Sequence, residues 1–385
     1  MNIGVVGVGR LGICFALLLD RSGHSVIGSD IRTNYISSLN RRQITTSEPG
    51  VADMLAQSNI KFTTDTREII KDSQIIYVMV ATPSLADGSY DISAVQRVID
   101  DIHECEFDIT GKILVIGCTT NPGDCQTIQD SLHSRGVHVL YNPEFIAQGS
   151  ILKDLQNADM VLIGGDNQAV MDKYKQLYND IQVTPPNTHT MSLTAAELVK
   201  IGTNCFLTTK ISYANMVGEV LIRSGLDADV DKALDAIGAD SRVGKKYLRY
   251  GFGFGGPCLP RDNRAFAHYA NRVGLEFPLG TMVDQFNQDH TQFLVNHWIA
   301  KNVNHIPYYM SYISYKKDTD IYEESQQLRL CQTLLSKGYQ VYVEPSAIMP
   351  LAIKQDLVDR YKDRIEFVSR TQLAKQGVEV IEVNQ

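Results

Sequence analysis

Residues 3–12 read Ile3-Gly4-Val5-Val6-Gly7-Val8-Gly9-Arg10-Leu11-Gly12, and this stretch decides the fold. Four mostly apolar residues predict a buried strand. The Gly7-x-Gly9-x-x-Gly12 turn follows, and 11–19 then read as a helix. A second strand, Ser25-Val26-Ile27-Gly28-Ser29, leads into Asp30, 18 residues after Gly12. Strand, glycine turn, helix and acid-tipped strand make the dinucleotide fingerprint in its required setting. Gly7 makes the turn, Gly9 admits the pyrophosphate, and Gly12 lets helix and strand pack. The helix N-terminus, entered at Arg10 and Leu11, faces the phosphates. Asp30 accepts from the adenosine ribose 2′-hydroxyl and repels a 2′-phosphate, which favours NAD over NADP; Arg32 lies close enough to weaken that preference.

Outward from this motif, apolar strands at 74–82, 113–118, 137–141 and 160–164 alternate with helical patterns such as 91–102 and 124–133. Such alternation predicts an α/β fold: a doubly wound, mostly parallel sheet covered on both faces. Pro185-Pro186-Asn187 breaks the pattern, so the first domain is drawn at 1–186. Thr194-Ala195-Ala196-Glu197 reads as a capping box opening a long helix to about Ser224. Further helical runs at 230–237 and 281–302 make 187–303 a helical middle region carrying a Gly-rich loop. Strand and helix patterns return over 304–385, predicting a smaller, Rossmann-like C-terminal domain.

Composition bounds the function. The 385 residues carry 36 basic and 44 acidic side chains, a net charge of −8 without a basic tract, which argues against nucleic-acid or anionic-membrane partners. No apolar run approaches the roughly 20 residues a membrane span needs. Met1 leads straight into a strand, so no leader is expected and the cytoplasm is the expected location. Seven scattered cysteines without a CxxC pair predict reduced thiols and no metal site.

Chemistry concentrates in Gly251-Phe252-Gly253-Phe254-Gly255-Gly256-Pro257-Cys258-Leu259-Pro260-Arg261-Asp262. Four glycines in six residues allow close backbone approach, Cys258 offers a nucleophile, and Asp262 can move a proton. A tight turn with a small buried Cys is the bland reading. Glu197, Lys200 and Asn204 share one face of the long helix. That face is either solvated or a pair of donors aimed at an oxyanion. Cys118-Thr119-Thr120-Asn121 and Tyr141-Asn142-Pro143-Glu144-Phe145 each end a strand, where ligands bind in open sheets. Thr120 serves there as ligand hydroxyl or helix cap, and Glu144 as water-poising carboxylate or first-turn acid.

Taken together, these motifs resemble the nucleotide-sugar dehydrogenases, the UDP-glucose/GDP-mannose dehydrogenase family. The likeness runs in order through the Gly7 turn, Val80-Ala81-Thr82-Pro83, Asp87-Gly88, Thr120, Asn142-Pro143-Glu144-Phe145, Glu197-x-x-Lys200-x-x-x-Asn204, Lys210-Ile211-Ser212, Asp240-x-Arg242-x-Gly244, the Cys258 loop and Lys316-x-Asp318-Thr319. The resemblance implies a four-electron, NAD-dependent oxidation of the C6 alcohol of a UDP-hexose (UDP-glucose to UDP-glucuronate) through a thiohemiacetal and a thioester on Cys258. It implies that Lys200 and Asn204 stabilise the oxyanion and that Asp262 and Thr120 handle water and protons, with Glu144 supporting the water or orienting Lys200. Gly7, Gly9, Arg10, Leu11, Gly12, Asp30, Thr82, Pro83 and Thr120 hold the cofactor. Phe145, Ile146, Gln148, Tyr247, Leu248, Tyr250, Phe254, Gly255 and Lys316 hold the substrate, and Arg242 reaches across a homodimer built on the long helix. Three departures stand out: Arg10 replaces an aromatic residue, Gln148 replaces a second Glu, and Glu323-Glu324-Ser325 lacks the Arg expected to help hold the cofactor. The last domain is also shorter than usual. Other UDP-sugars, including N-acetylhexosamines, remain open as substrates. So do a catalytically silent nucleotide-binding protein and a simple hydroxy-acid dehydrogenase, which needs no nucleophilic Cys.

Overall fold

The computed structural model describes residues 1–46, 48–146 and 149–383. They divide into two compact units, Met1–Ile201 and Gly202–Gln385.

The first unit is built on eight strands: β1 (Asn2–Val6), β2 (Ser25–Ser29), β3 (Lys61–Thr63), β4 (Ile75–Val78), β5 (Ile113–Ile116), β6 (His138–Tyr141), β7 (Met160–Gly164) and β8 (Asn187–Met191). Their order is β3-β2-β1-β4-β5-β6-β7-β8, parallel throughout except the β6–β7 pair. β4 and β5 are buried at every position, as strands with helices on both faces must be. Two buried apolar clusters flank the sheet. The order reverses between β1 and β4, which puts the ligand crevice at the carboxyl ends of those strands.

Two strands differ from the sequence expectation. β3 has three residues and β8 is largely polar and exposed, so neither carries the apolar run that marks a buried strand. Because β8 pairs with β7 in register from Asn187 to Met191, the first sheet continues beyond Pro185-Pro186.

The helix Leu193–Arg223 begins in the first unit and ends in the second. The second unit adds helices Val230–Ala239, Leu259–Arg272 and Pro278–Lys301. A smaller, all-parallel sheet follows: β9 (Tyr308–Met310), β10 (Val341–Val343), β11 (Ile365–Phe367) and β12 (Ile381–Glu382), ordered β11-β10-β9-β12. Its core includes Tyr308, Met310, Leu330, Leu334, Val341 and Val343. This is the second Rossmann-like domain expected from the sequence. Among the described residues no helix is long and apolar enough to cross a membrane.

Candidate active site

The glycine turn has the geometry the fingerprint demands. Gly7 has φ +92°, and a Cβ there would lie 2.5 Å from the Met79 carbonyl oxygen. A Cβ on Gly12 would lie 2.1 Å from the Gly7 carbonyl oxygen, so only glycine lets the helix pack on the turn. At Gly9, by contrast, a Cβ would meet nothing within 4 Å. Gly9 caps the helix Arg10–Arg21 without a side-chain hydrogen bond, and its first turn holds no acid. Open space before an uncapped helix N-terminus suits a pyrophosphate, so these residues fit a dinucleotide. The Gly7 and Val8 amides donate to the Ser29 carbonyl (2.8 and 3.0 Å), which brings the end of β2, and hence Asp30, to the turn. Asp30 accepts from Arg32 Nε and Nη2, each at 2.8 Å. Burial pushes its carboxyl up, and the Arg32 hydrogen bonds more than reverse this, leaving it below the ordinary value. Thr82 is buried, whereas Pro83 belongs to the loop closed by Asp91 N donating to its carbonyl.

The next group gathers at the carboxyl ends of β5 and β6. Glu197 is fully buried and accepts from Thr120 Oγ1 (2.7 Å), Gly123 N (2.7 Å) and Cys125 N (3.0 Å). The expected capping box therefore does not form: Thr194 is already helical, and the Glu197 carboxylate serves a neighbouring loop. Burial raises the Glu197 pKa, and the Thr120 and amide donors pull it back. Thr120 is itself fully buried and spends its proton on Glu197. Lys200 Nζ donates to the main-chain oxygen of Glu144 at 2.9 Å and lies 4.8 Å from the centre of the Phe145 ring. The Glu144 carboxylate is turned to Tyr178, whose hydroxyl lies 3.0 Å from both oxygens. Behind it Tyr77 and Tyr174 both donate to Asn142 Oδ1. Burial lifts the Glu144 pKa to about 7, against the Tyr178 hydrogen bond and the Lys200 charge. Ile146 packs on the core, and Gln148 lies outside the described residues.

In the second unit Cys258 is exposed and caps the helix Leu259–Arg272, a position where the helix dipole favours negative charge. Asp262 lies in the first turn of that helix, nearly buried, and accepts from Asn204 Nδ2 at 2.5 Å. The loop before Cys258 is held at its backbone. Asn215 Oδ1 takes the Gly251 amide (2.9 Å), and His290 Nε2 donates to the Gly251 carbonyl (2.6 Å) while Nδ1 meets Glu219 at 2.7 Å. Asn287 pairs with both the amide and the carbonyl of Phe254 (2.8 and 2.9 Å). A Cβ on Gly253 would fall 2.0 Å from Asn287 Oδ1, on Gly255 2.4 Å from the Glu324 carbonyl oxygen, and on Gly256 2.5 Å from the Tyr315 ring. The loop is thus glycine-rich because protein packs against it on several sides. Asn215, Glu219, Asn287 and His290 escaped the sequence reading. The available signal was two polar pairs at helical spacing (215/219 and 287/290) within two long helices.

Among the expected substrate residues, Tyr247 has φ +62° and is exposed. Leu248 and Phe254 are buried, Leu248 in a cluster with Ala214, Val230 and Leu234. The Tyr250 ring meets His290 edge-on at 5.7 Å. Lys316 is exposed, and its carbonyl is fixed by Ser314 and Thr319 hydroxyls (2.7 and 2.8 Å). Arg242 is exposed and paired with Asp240. Where an Arg was expected, the Glu323 carbonyl accepts from Gly256 N, and Glu324 is gripped at both oxygens by Arg264 (2.6 and 2.9 Å). The expected site residues are thus divided between the two units, and the continuous helix Leu193–Arg223 carries Lys200 of the first and Asn204 of the second.

Residues 1–182 match the NAD binding domain of the UDP-glucose/GDP-mannose dehydrogenase family, and residues 194–289 match its central domain. A putative UDP-glucose 6-dehydrogenase of Bacillus subtilis is 30% identical over 370 residues, 92% of this chain and 84% of the relative. A GDP-mannose 6-dehydrogenase of Pseudomonas aeruginosa is 27% identical over 361 residues, 89% of this chain and 80% of the relative. The solved structure of a UDP-glucose dehydrogenase from Pyrobaculum islandicum superimposes with a TM-score of 0.84 at 26% identity, covering 99% of this chain and 89% of that one.

Proposed function

This chain belongs to the UDP-glucose/GDP-mannose dehydrogenase family, and from that premise we propose that it oxidises the C6 alcohol of UDP-glucose to the carboxylate of UDP-glucuronate. One observation carries the reading: an exposed Cys258 opens a helix whose first turn holds an Asp262 fixed by Asn204. A one-step alcohol dehydrogenase has no use for such a thiol. UDP-glucose is favoured over other nucleotide sugars by the names of the relatives at 30% and 26% identity.

Two NAD+ bound in turn would each accept one hydride of the four-electron reaction. The Lys200 ammonium, anchored by one proton to the Glu144 carbonyl, keeps two protons for an oxyanion at C6, and Asn204 stands one helical turn on. Cys258 adds to the aldehyde and retains it as a thiohemiacetal, and the second oxidation leaves a thioester. Asp262 takes a proton from the water that cleaves it. With its own proton committed to Glu197, Thr120 acts by fixing the 120–125 turn. Tyr247, Tyr250, Gly255 and Lys316 contact the nucleotide sugar, with Leu248 and Phe254 shaping the loop from behind. Two copies associate through the helix Leu193–Arg223, which exposes Phe206 (66%), Tyr213 (45%), Met216 (44%) and Val220 (58%) from its middle onward.

The test is to incubate the purified protein with NAD+ and a panel of UDP- and GDP-sugars. UDP-glucose should yield two NADH per sugar consumed, and Cys258→Ala should yield no uronate. Oxidation restricted to N-acetylated or GDP-linked sugars would move the substrate assignment. One NADH per sugar, or uronate from Cys258→Ala, would remove the cysteine mechanism.

A further inference from the structure

Asp30 is the first residue after β2, and its side chain is only 9% exposed. Arg32 turns back onto it with three donors: the backbone amide at 3.1 Å, and Nε and Nη2 at 2.8 Å each. Each carboxylate oxygen therefore already accepts from the guanidinium. The Arg32 side chain, 57% exposed, is steadied by the Tyr35 ring, whose centre lies 4.3 Å from its Cζ. Nη1 takes no part in the pair.

An acid at the end of this strand selects NAD in two ways. It accepts from the ribose hydroxyls, and its charge repels a 2′-phosphate. The first is weakened, and the second lost, when the carboxylate is already paired with a cation. Here the ribose hydroxyls share the carboxylate with the guanidinium and have only its remaining lone pairs to donate to, and a 2′-phosphate meets a pair whose formal charges cancel. The guanidinium itself is a planar, two-point phosphate ligand resting on a ring beside the ribose end of the cleft.

We propose that Arg32 makes the adenosine-ribose end of this site accept a 2′-phosphate, so that the protein binds NADP+ as well as NAD+. The proposal rests on the reading that the Gly7–Gly12 turn holds a dinucleotide. Isothermal titration of the purified protein with NAD+ and with NADP+, without sugar, measures both affinities independently of turnover. In the unaltered protein the two dissociation constants should lie within about tenfold of each other. Arg32→Ala should weaken NADP+ about tenfold or more, by removing the phosphate ligand and baring Asp30, and should tighten NAD+ up to about threefold by releasing the carboxylate. Arg32→Gln, which keeps much of the side-chain length without the charge, should shift the ratio the same way and guards against a fold defect in the alanine variant. NAD+ binding by the unaltered protein with no NADP+ binding at millimolar concentration overturns the proposal. So does a ratio unchanged in both variants. Failure to bind either dinucleotide overturns the underlying cofactor reading and the proposal with it.

Discussion

Glu144 holds Lys200 by its main-chain oxygen while its carboxylate is buried against the Tyr178 hydroxyl. That environment has a measurable consequence. Burial raises the Glu144 pKa from the ordinary 4.5 to about 7. Below 4.5 the folded and unfolded chains both hold the proton, and the residue costs nothing. Between these values the unfolded chain releases its proton first, so stability falls as pH rises. Above 7 the full cost stands, at most about 3 kcal/mol. Glu144→Gln, which can still accept from Tyr178, should therefore raise the melting temperature by a few degrees at pH 8 and leave it unchanged near pH 4.5. Scanning fluorimetry at the two pH values decides the matter, and an equal effect at both would show that burial of the charge is not what Glu144 endures.

At the level of elements, the Cys258 loop was read from its glycines, and its location needed nothing more. What the glycines accommodate was hidden, because Asn215, Asn287, His290 and Glu324 approach the loop from 30 or more residues away in sequence. The capping-box expectation failed for a related reason. A local pattern assigned Glu197 to its own helix, while three donors from a distant turn compete for the same carboxylate and win by burying it. The glycines can be ranked by what surrounds them. At Gly253 a Cβ would displace Asn287 Oδ1 and strand the Phe254 amide and carbonyl it satisfies. Gly244 has φ +72° but open space around it. Gly253→Ala should cost about 2–4 kcal/mol through the clash and the lost hydrogen bonds. Gly244→Ala should cost about 1 kcal/mol through its backbone alone. Urea unfolding followed by circular dichroism compares the two, and kcat should fall for Gly253→Ala as the loop carrying Cys258 is pushed aside. Equal midpoints for the two variants would mean that Asn287 does not hold the loop.

At the scale of the molecule, the first sheet was legible wherever its strands are apolar, from β2 across to β7 in sheet order, and illegible at its edges. There β3 is three residues long and β8 is polar, since an edge strand has one face or flank that no helix covers. The same logic of covered and uncovered faces applies to the helix Leu193–Arg223. Phe206, Tyr213 and Val220 recur at intervals of seven residues, close to two full turns, so they fall on one side, and Met216 widens the stripe. Single exposed apolar residues are ordinary on a surface, whereas a row of four on one helix face marks a partner. A second copy of the helix, meeting the first about a twofold axis, would bury each stripe against its own counterpart, as an isologous interface requires. Light scattering after size exclusion should report twice the mass of the 42.9 kDa chain. Tyr213→Glu with Val220→Glu should give the single-chain mass, because the new charges would be buried in the twofold interface with nothing to neutralise them. Arg242 adds a second readout. Its guanidinium is exposed and, among the described residues, pairs with the neighbouring Asp240, and the role proposed for it lies in the other subunit's site. The monomeric variant should then lose kcat to about the extent that Arg242→Ala does in the dimer, while its affinity for NAD+, set within residues 1–201, stays unchanged. An unaltered chain that elutes as a monomer at micromolar concentration and still turns over would rule out both the interface and the shared arginine.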